Sequence, residues 1–343
     1  MDLQSKINRL NRDACPSIRL RLMRELHASA QQDEGELQAQ ICRDARVQQV
    51  LAAQRDGWFY EQFHGFNSME SSIRFLIEMG LPPQFPALSL AAAALKQATQ
   101  ERLLAGIGKP GIYLGEYGGS GSRMIQAWLL AELGHETDVL VQDALARTLQ
   151  VMDFTRKVPD MDAVSRIKAK QRVLLPHCMW PDLYHFRLLA ASQCWRTPLN
   201  LDIVDAAVEN MLRLQPIPYL HILHNGQVMA PASFGLQSLL PSFESMSDSE
   251  WMPWFQRMIL FARLGLLRSN ATLKHYAQSF LAWVEDINDW ATKPLSHTYF
   301  SKWGAYTGLM LEKDWRAGKR RMNDLLFRTV LIGAGITGDN DRL

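Results

Sequence analysis

The sequence predicts an all-α protein assembled from repeated helical hairpins and interrupted by one small β-hairpin. Three observations carry that expectation. Apolar residues recur at helical spacing over most of the 343 positions, while β-branched runs are few. Loops rich in Gly, Pro or aromatic residues lead repeatedly into a compact apolar helix, a short break, and a second, more polar helix. Finally, Asn225-Gly226 sits between two short extended runs, Tyr219 to Leu223 and Gln227 to Ala230, which is the pattern of a two-residue hairpin turn.

Taken in order, residues 1–54 are expected to form N-terminal helices that pack on the repeats or complete them. "PSIRLRLMRELHAS" carries Ile18, Leu20, Leu22, Met23 and Leu26 at helical spacing, and Pro16 suits a first helical turn. Glu36 to Gln54 supplies one or two further helices. Residues 55–332 hold five helical pairs, with breaks at Gly80, Gly134, near Cys194, at Gly265 and near Lys313. First helices such as "SSIRFLIEMG" and "RMIQAWLLAELG" are apolar nearly all round and so should be buried on most sides. Second helices such as "DVLVQDALARTLQ" and "LDIVDAAVENMLRL" should be half exposed. Each pair then buries its apolar face only against its neighbours, in two concentric layers or in an open superhelix. The β-hairpin is an insertion at about 217–232, and residues 333–343 lack an apolar period and should be a loose tail.

The totals narrow the function classes. A hydrophobic content of 47% suffices for a large core, and 21% charged residues suit a water-facing surface. With 37 basic and 35 acidic residues the net charge is +2, so nucleic acid is not the expected partner. Cys15, Cys42, Cys178 and Cys194 form no CxxC pair, which fits free thiols and a cytoplasmic location. The N-terminus lacks the apolar core of a signal peptide. The longest apolar run, Ala87 to Ala98, is broken by polar residues and falls short of the ~20 needed to span a bilayer.

The stretch "GWFYEQFHGFNSMESSIRFLIEMGLPPQFPALSLAAAAL" resembles a repeat of the terpenoid-cyclase and protein-prenyltransferase superfamily. "EYGGSGSRMIQAWLLAELGHETD" and "CMWPDLYHFRLLAASQCWRTP" look like further copies, and the resemblance covers most of residues 55–332. It implies an α/α toroid whose central aromatic-lined cavity takes an apolar or isoprenoid-like small molecule; an enzyme of this kind would be a transferase or a cyclase. The catalytic motifs of that superfamily are not matched. Its Asp-x-Asp-Asp acid motif meets only "PDMDAV", with Asp160 and Asp162 but Ala163 in the last place. Its zinc ligands are an Asp, a Cys and a His; Asp182 lies near Cys178 and His185, but at a different spacing. "WVEDINDW", with Glu285, Asp286 and Asp289, is loosely like an acid-rich magnesium motif, but the second metal box that motif needs is missing, and the stretch reads first as an exposed acidic stripe on an outer helix. No cofactor is therefore expected, with zinc at Cys178, Asp182 and His185, or magnesium, as the alternative.

The candidate ligand-binding residues are those at or near the N-terminal ends of first helices: Trp58, His64, Arg74, Tyr117, Arg123, Trp180, Tyr184, Trp254, His297 and Trp303. The opposing expectation is that the tryptophans staple neighbouring hairpins together. Asp182, His185 and Glu70 are the candidates for chemistry. The glycine-rich "LGEYGGSGSRMIQAW" could present backbone N–H groups and Arg123 to an anion, or could be a plain loop with Ser120 or Ser122 as helix cap. His221 and His224 lie three apart in an extended run and so point to opposite faces. The basic run "RAGKRRMNDLLFR" is expected to be a solvated outer face. A non-catalytic scaffold that binds a protein partner, and less favoured a HEAT-like solenoid that binds nucleic acid, are the alternative functions.

Overall fold

The computed structural model describes residues 2–28, 33–286, 295 and 297–338, apart from the side chains of Phe234, Asp286 and His297. Among these residues there are seventeen α-helices and two small sheets. They fall into two compact units, Met1–Ala91 together with Ser242–Leu343, and Ala92–Pro241.

The first unit opens with α1 (Leu3–Asp13), α2 (Pro16–Leu26), α3 (Glu34–Cys42) and α4 (Ala45–Ala52). Their starts follow from local chemistry: Asp2, Asp33 and Asp44 each accept backbone N–H groups as N-caps, and Pro16 occupies the first turn of α2. Ile18, Leu20 and Leu22 of α2 and Leu37 and Ile41 of α3 are buried where the two helices pack. Two-residue strands β1 (Gln54–Arg55) and β2 (Trp58–Phe59) pair across Asp56-Gly57, both at positive φ. Then α5 (Met69–Glu78) starts from a capping box of Ser68 and Ser71. α6 (Pro86–Lys96) carries the boundary between the units.

The rest of the first unit is α13 (Asp248–Arg263), α14 (Leu266–Ser269), α15 (Ala271–Asp286), α16 (His297–Ser301) and α17 (Gly318–Thr337). α17 is its spine and packs against α1, α2, α13, α14 and α15. Two expectations fail here. Gly333 to Ile336 are helical and buried, because they continue the face of α17 that α13 and α14 cover, so the loose tail does not begin at residue 333. The basic run also does not form a wholly solvated face: Asn323, Asp324 and Arg328 are buried. In addition, the segment before α17 is irregular from Lys302 to Ala317, so the fifth pair lacks a full first helix.

The second unit comprises α7 (Gln100–Leu104), α8 (Pro110–Glu116), α9 (Ser122–Glu132), α10 (Val139–Thr155), α11 (Leu183–Ala191), α12 (Pro198–Arg213) and a sheet. The first helices α9 and α11 pack on each other, as do the second helices α10 and α12. α9 and α11 are buried along nearly their whole length, and α10 and α12 on one face. The apolar composition of the first helices thus places them inside. The sheet runs in the order β3 (Ser165–Lys168), β4 (Gln171–Leu174), β5 (Leu220–His224), β6 (Gln227–Met229). Asn225-Gly226 makes the β5–β6 turn with both residues at positive φ. The inserted hairpin is therefore half of a four-stranded sheet, joined through a parallel β4–β5 pair to β3–β4, which the sequence pattern did not reveal.

Candidate functional site

Asp182 and His185 sit at the N-terminus of α11, and both are fully buried. One Asp182 carboxylate oxygen accepts the Tyr184 N–H at 3.0 Å, and the other accepts the Ser120 N–H at 2.8 Å. His185 Nδ1 accepts the Asp182 N–H at 3.1 Å and lies 3.0 Å from the Asp182 carboxylate, while Nε2 donates to the Gly118 carbonyl at 3.0 Å. Burial works against the charged Asp182, but His185 and the hydrogen bonds from Ser120 outweigh it and hold the carboxyl below its ordinary value. Every polar side-chain atom of the pair is thus engaged: Asp182 Oδ1 and His185 Nδ1 cap α11 itself, and Asp182 Oδ2 and His185 Nε2 tie it to the loop that precedes α9. That loop caps α9 with Gly121 rather than with a serine: a Cβ there would stand 2.6 Å from the Gly111 carbonyl oxygen and 2.7 Å from the Gly115 nitrogen, so α8 can cross only over glycine.

His64 and Glu70, in the loop before α5 and in its first turn, are brought together. His64 Nδ1 lies 2.6 Å from a Glu70 oxygen, the carboxylate is fully buried, and the His64 ring meets Tyr306 edge-on at 5.5 Å. Arg74, one turn further along α5, donates to the carbonyls of Gly304, Ala305, Thr307 and Gly308 at 2.6 to 3.0 Å. Its guanidinium also stands over the Trp303 ring at 5.2 Å. Arg74 therefore fixes the 304–308 loop in place.

Most of the candidate aromatic residues are packing groups. Trp254 is buried among Trp251, Phe255 and Phe280, and its indole N–H donates to the Tyr276 hydroxyl at 3.0 Å. Tyr184 is buried against Trp128 at 5.5 Å with Arg187 over both rings. Trp180 is buried, Trp58 meets Phe63 edge-on, and the Tyr117 hydroxyl reaches the Leu223 carbonyl in the sheet. The side chain of His297 and the residue Asp289 lie outside the described residues.

One of the clefts among the described residues is lined by rings. In the first unit, Tyr60, Phe66, Phe75 and Trp303 surround a space of about 240 Å³, with Ser71 and Ser72 of α5, Asn67, Arg46 and Lys302 at its wall. Phe66 is 48% exposed, and the Lys302 ammonium lies 4.2 Å from the centre of its ring. Phe75 and Trp303 meet edge-on at 5.2 Å, and the Trp303 indole N–H is buried with no hydrogen-bond partner among the described residues. Arg46 is braced by Asp44 and by the carbonyls of Leu311 and Glu312. Of the candidates, only Trp303 lines this cleft. Phe66 lies two residues after His64 and Lys302 immediately before Trp303, both of which are candidates, but neither Phe66 nor Lys302 is itself marked by the sequence pattern. A larger cleft in the second unit, about 460 Å³, holds Arg123, Arg147, Gln100 and Gln150 against Gly111, Gly115, Gly118 and Gly121. Arg123 itself donates to Gln126 at 2.9 Å.

The acid-rich candidates resolve into local structure. Asp160 accepts the N–H groups of Asp162 and Ala163 in a turn, and Asp162 pairs with Arg172 at 2.6 Å. His221 leans on Tyr219, whereas His224 stacks on Tyr113. Cys178 is half-buried, and burial raises its thiol pKa. Among the described residues no three His, Cys, Asp or Glu side chains converge as ligands of one metal ion, so Cys178, Asp182 and His185 do not form the zinc set their proximity in sequence allowed. No helix among the described residues is long and apolar enough to cross a membrane. Comparison with family models, with curated proteins and with solved structures finds no match to this chain.

Proposed function

We propose that the chain is a small-molecule-binding protein whose helical hairpins take the α/α-toroid arrangement that its repeats resemble. Its ligand is a small, largely apolar molecule of isoprenoid kind with one anionic or hydrogen-bond-accepting end. The observation that carries this reading is the ring-lined cleft of the first unit, where an exposed Phe66, a Trp303 N–H without a partner and the Lys302 ammonium meet. At about 240 Å³ the space lies just below the ~300–1,000 Å³ usual for drug-sized ligands, which favours a short chain or one end of a longer one. No reaction and no cofactor are part of the reading, because Asp182 and His185 are spent on holding backbone.

Intrinsic tryptophan fluorescence tests it. Prenyl alcohols and prenyl diphosphates of increasing length are titrated against the full chain, with inorganic diphosphate as control. Saturable quenching by the prenyl compounds is expected, weakened about fivefold in Phe66→Ala, which removes one ring contact worth about 1 kcal/mol. A flat titration for every prenyl compound refutes the reading. The burial of Trp254, Tyr184 and Trp180 as packing groups favours a second reading, a non-catalytic interaction scaffold for a protein partner, and that is where a flat titration would lead.

A further inference from the structure

The four-stranded sheet of the second unit has an inner and an outer face. Leu220, Ile222 and Met229 are buried on the inner one. The alternate positions Tyr219 and Val228 stand on the outer face, the face that Arg166 and Lys168 of the neighbouring hairpin share through Val173 and His221, whereas Ile167 pairs with Arg172, and through it with Leu220, on the other face. From Arg166 to Gln171 every residue of the β3–β4 hairpin is exposed. Arg166, Lys168, Lys170 and Arg172 alternate along it in a chain that is otherwise nearly balanced in charge. Arg172 is paired with Asp162 at 2.6 Å, whereas Arg166, Lys168 and Lys170 have no acidic partner among the described residues. The turn itself is Ala169-Lys170, at φ 49 and 65, where the companion β5–β6 hairpin uses Asn225-Gly226 at φ 46 and 81. Ala and Lys are poor residues for left-handed backbone, so this turn accepts strain and carries a lysine at its tip. Exposed apolar side chains stand on both faces: Val228 at 39% and Tyr219 at 38% on the face of Arg166 and Lys168, and Ile167 at 70% on the opposite face, two residues before the turn.

We propose that this hairpin docks the protein, turn first, on the surface of a bilayer that contains anionic lipid. Arg166, Lys168 and Lys170 meet the headgroups, Ile167 at the hairpin tip enters the interfacial layer, and Tyr219 lies at headgroup depth, where its ring is apolar and its hydroxyl wet. A nucleic-acid backbone would engage the three cations, and Tyr219 would offer a ring to a base, but Ile167 and Val228 would be left in water. The branched aliphatic side chains therefore decide for the bilayer.

Co-sedimentation of the full chain with vesicles tests this. Binding is expected to phosphatidylcholine vesicles containing about 30 mol% phosphatidylserine and not to phosphatidylcholine alone, and to fall at least about tenfold between roughly 0.1 M and 0.5 M salt. The triple variant Arg166→Glu, Lys168→Glu, Lys170→Glu should lose about 100-fold or more, since each cation near an anionic surface contributes about fivefold. Ile167→Ser should lose about tenfold and keep the same salt dependence, which separates insertion from charge attraction alone. All four positions are exposed, so circular dichroism should be unchanged in both variants. The proposal is overturned by equal binding to neutral and anionic vesicles, by no binding to either, by a charge-reversed variant that binds as the wild type does, or by salt-sensitive binding of a single-stranded oligonucleotide without binding of vesicles.

Discussion

Glu78 shows what a single side chain contributes. Its carboxylate lies 2.5 Å from Arg21 and 3.1 Å from Arg328, so one acid on α5 joins α2 to α17. Burial opposes its ionisation, but Arg21 and Arg328 outweigh burial and hold its pKa far below the ordinary carboxylate range. The sign follows from linkage. A folded pKa depressed below the unfolded value of about 4.3 gives stability that is fully present above that value and is lost as pH falls through it toward the folded pKa. Glu78→Gln takes the carboxylate from the buried Arg328 guanidinium, while Arg21 keeps Glu25, and should cost about 3 kcal/mol at pH 7. Urea denaturation at pH 7 and at about pH 3 checks both points, since the gap between variant and wild type should narrow at the lower pH. A gap that is equal at both values would remove Glu78 from the acid response. Nearby, Asp324 acts in the opposite direction. It accepts the N–H groups of Leu311, Glu312 and the Trp315 indole, yet burial keeps its pKa above the ordinary value.

At the scale of elements, the capping residues of the first helices do more than start them. Ser68 with Ser71, Asp182 with His185, and Ser247 with Glu250 form capping boxes at α5, α11 and α13. The Asp182 box also reaches out of its own helix, to Ser120 and Gly118 before α9. Asp182→Ala should therefore cost more than an ordinary cap. Loss of the cap accounts for about 1 kcal/mol and the stranded buried N–H of Ser120 for about 1–3 kcal/mol more. Thermal unfolding followed by circular dichroism checks this, and a variant that melts with the wild type would return Asp182 to the candidates for chemistry. Arg74 belongs to the same class of residue. Its spacing along an apolar helix gave no hint that its guanidinium would be divided among four carbonyl groups some 230 residues away.

At the scale of the molecule, the first unit is closed by the two ends of the described chain. Asn323 of α17 donates to the Asp13 carbonyl at 3.0 Å, and the Cys15 N–H donates to Glu312 at 3.1 Å. α1 and α2 cover a face of α17, so residues 1–54 are an integral part of this unit and not a separate cap. Removing residues 1–26 would uncover that face and strip Arg21 from Glu78. The second unit contains none of these contacts. Calorimetry should show the transition of the first unit lost and that of the second retained, with dye binding to the exposed apolar face. A truncated chain that melts as the full chain does would show the N-terminal helices to be dispensable.

The sequence by itself determined what depends on neighbours along the chain. Periodicity gave the helices, composition distinguished the buried first helices α9 and α11 from the half-exposed α10 and α12, and Asn225-Gly226 gave the β5–β6 turn. These features are local, because a helix start, an amphipathic stripe or a two-residue turn is set within a few residues. Only the tertiary structure decided which polar groups are structural and where a cleft remains. Asp182 and His185 looked like ligands because acid and imidazole suit a metal as well as a helix cap, and the choice rests on Ser120 and Gly118, more than sixty residues away. Trp254 in α13 and Trp303 in the loop after α16 are the same residue type, yet one is sealed among other rings and the other faces open space, because burial is a property of what packs alongside and no single segment encodes it. Parallel pairing of β4 with β5 was invisible for the same reason: it joins segments separated by α11 and α12, and only the folded chain brings them to one sheet.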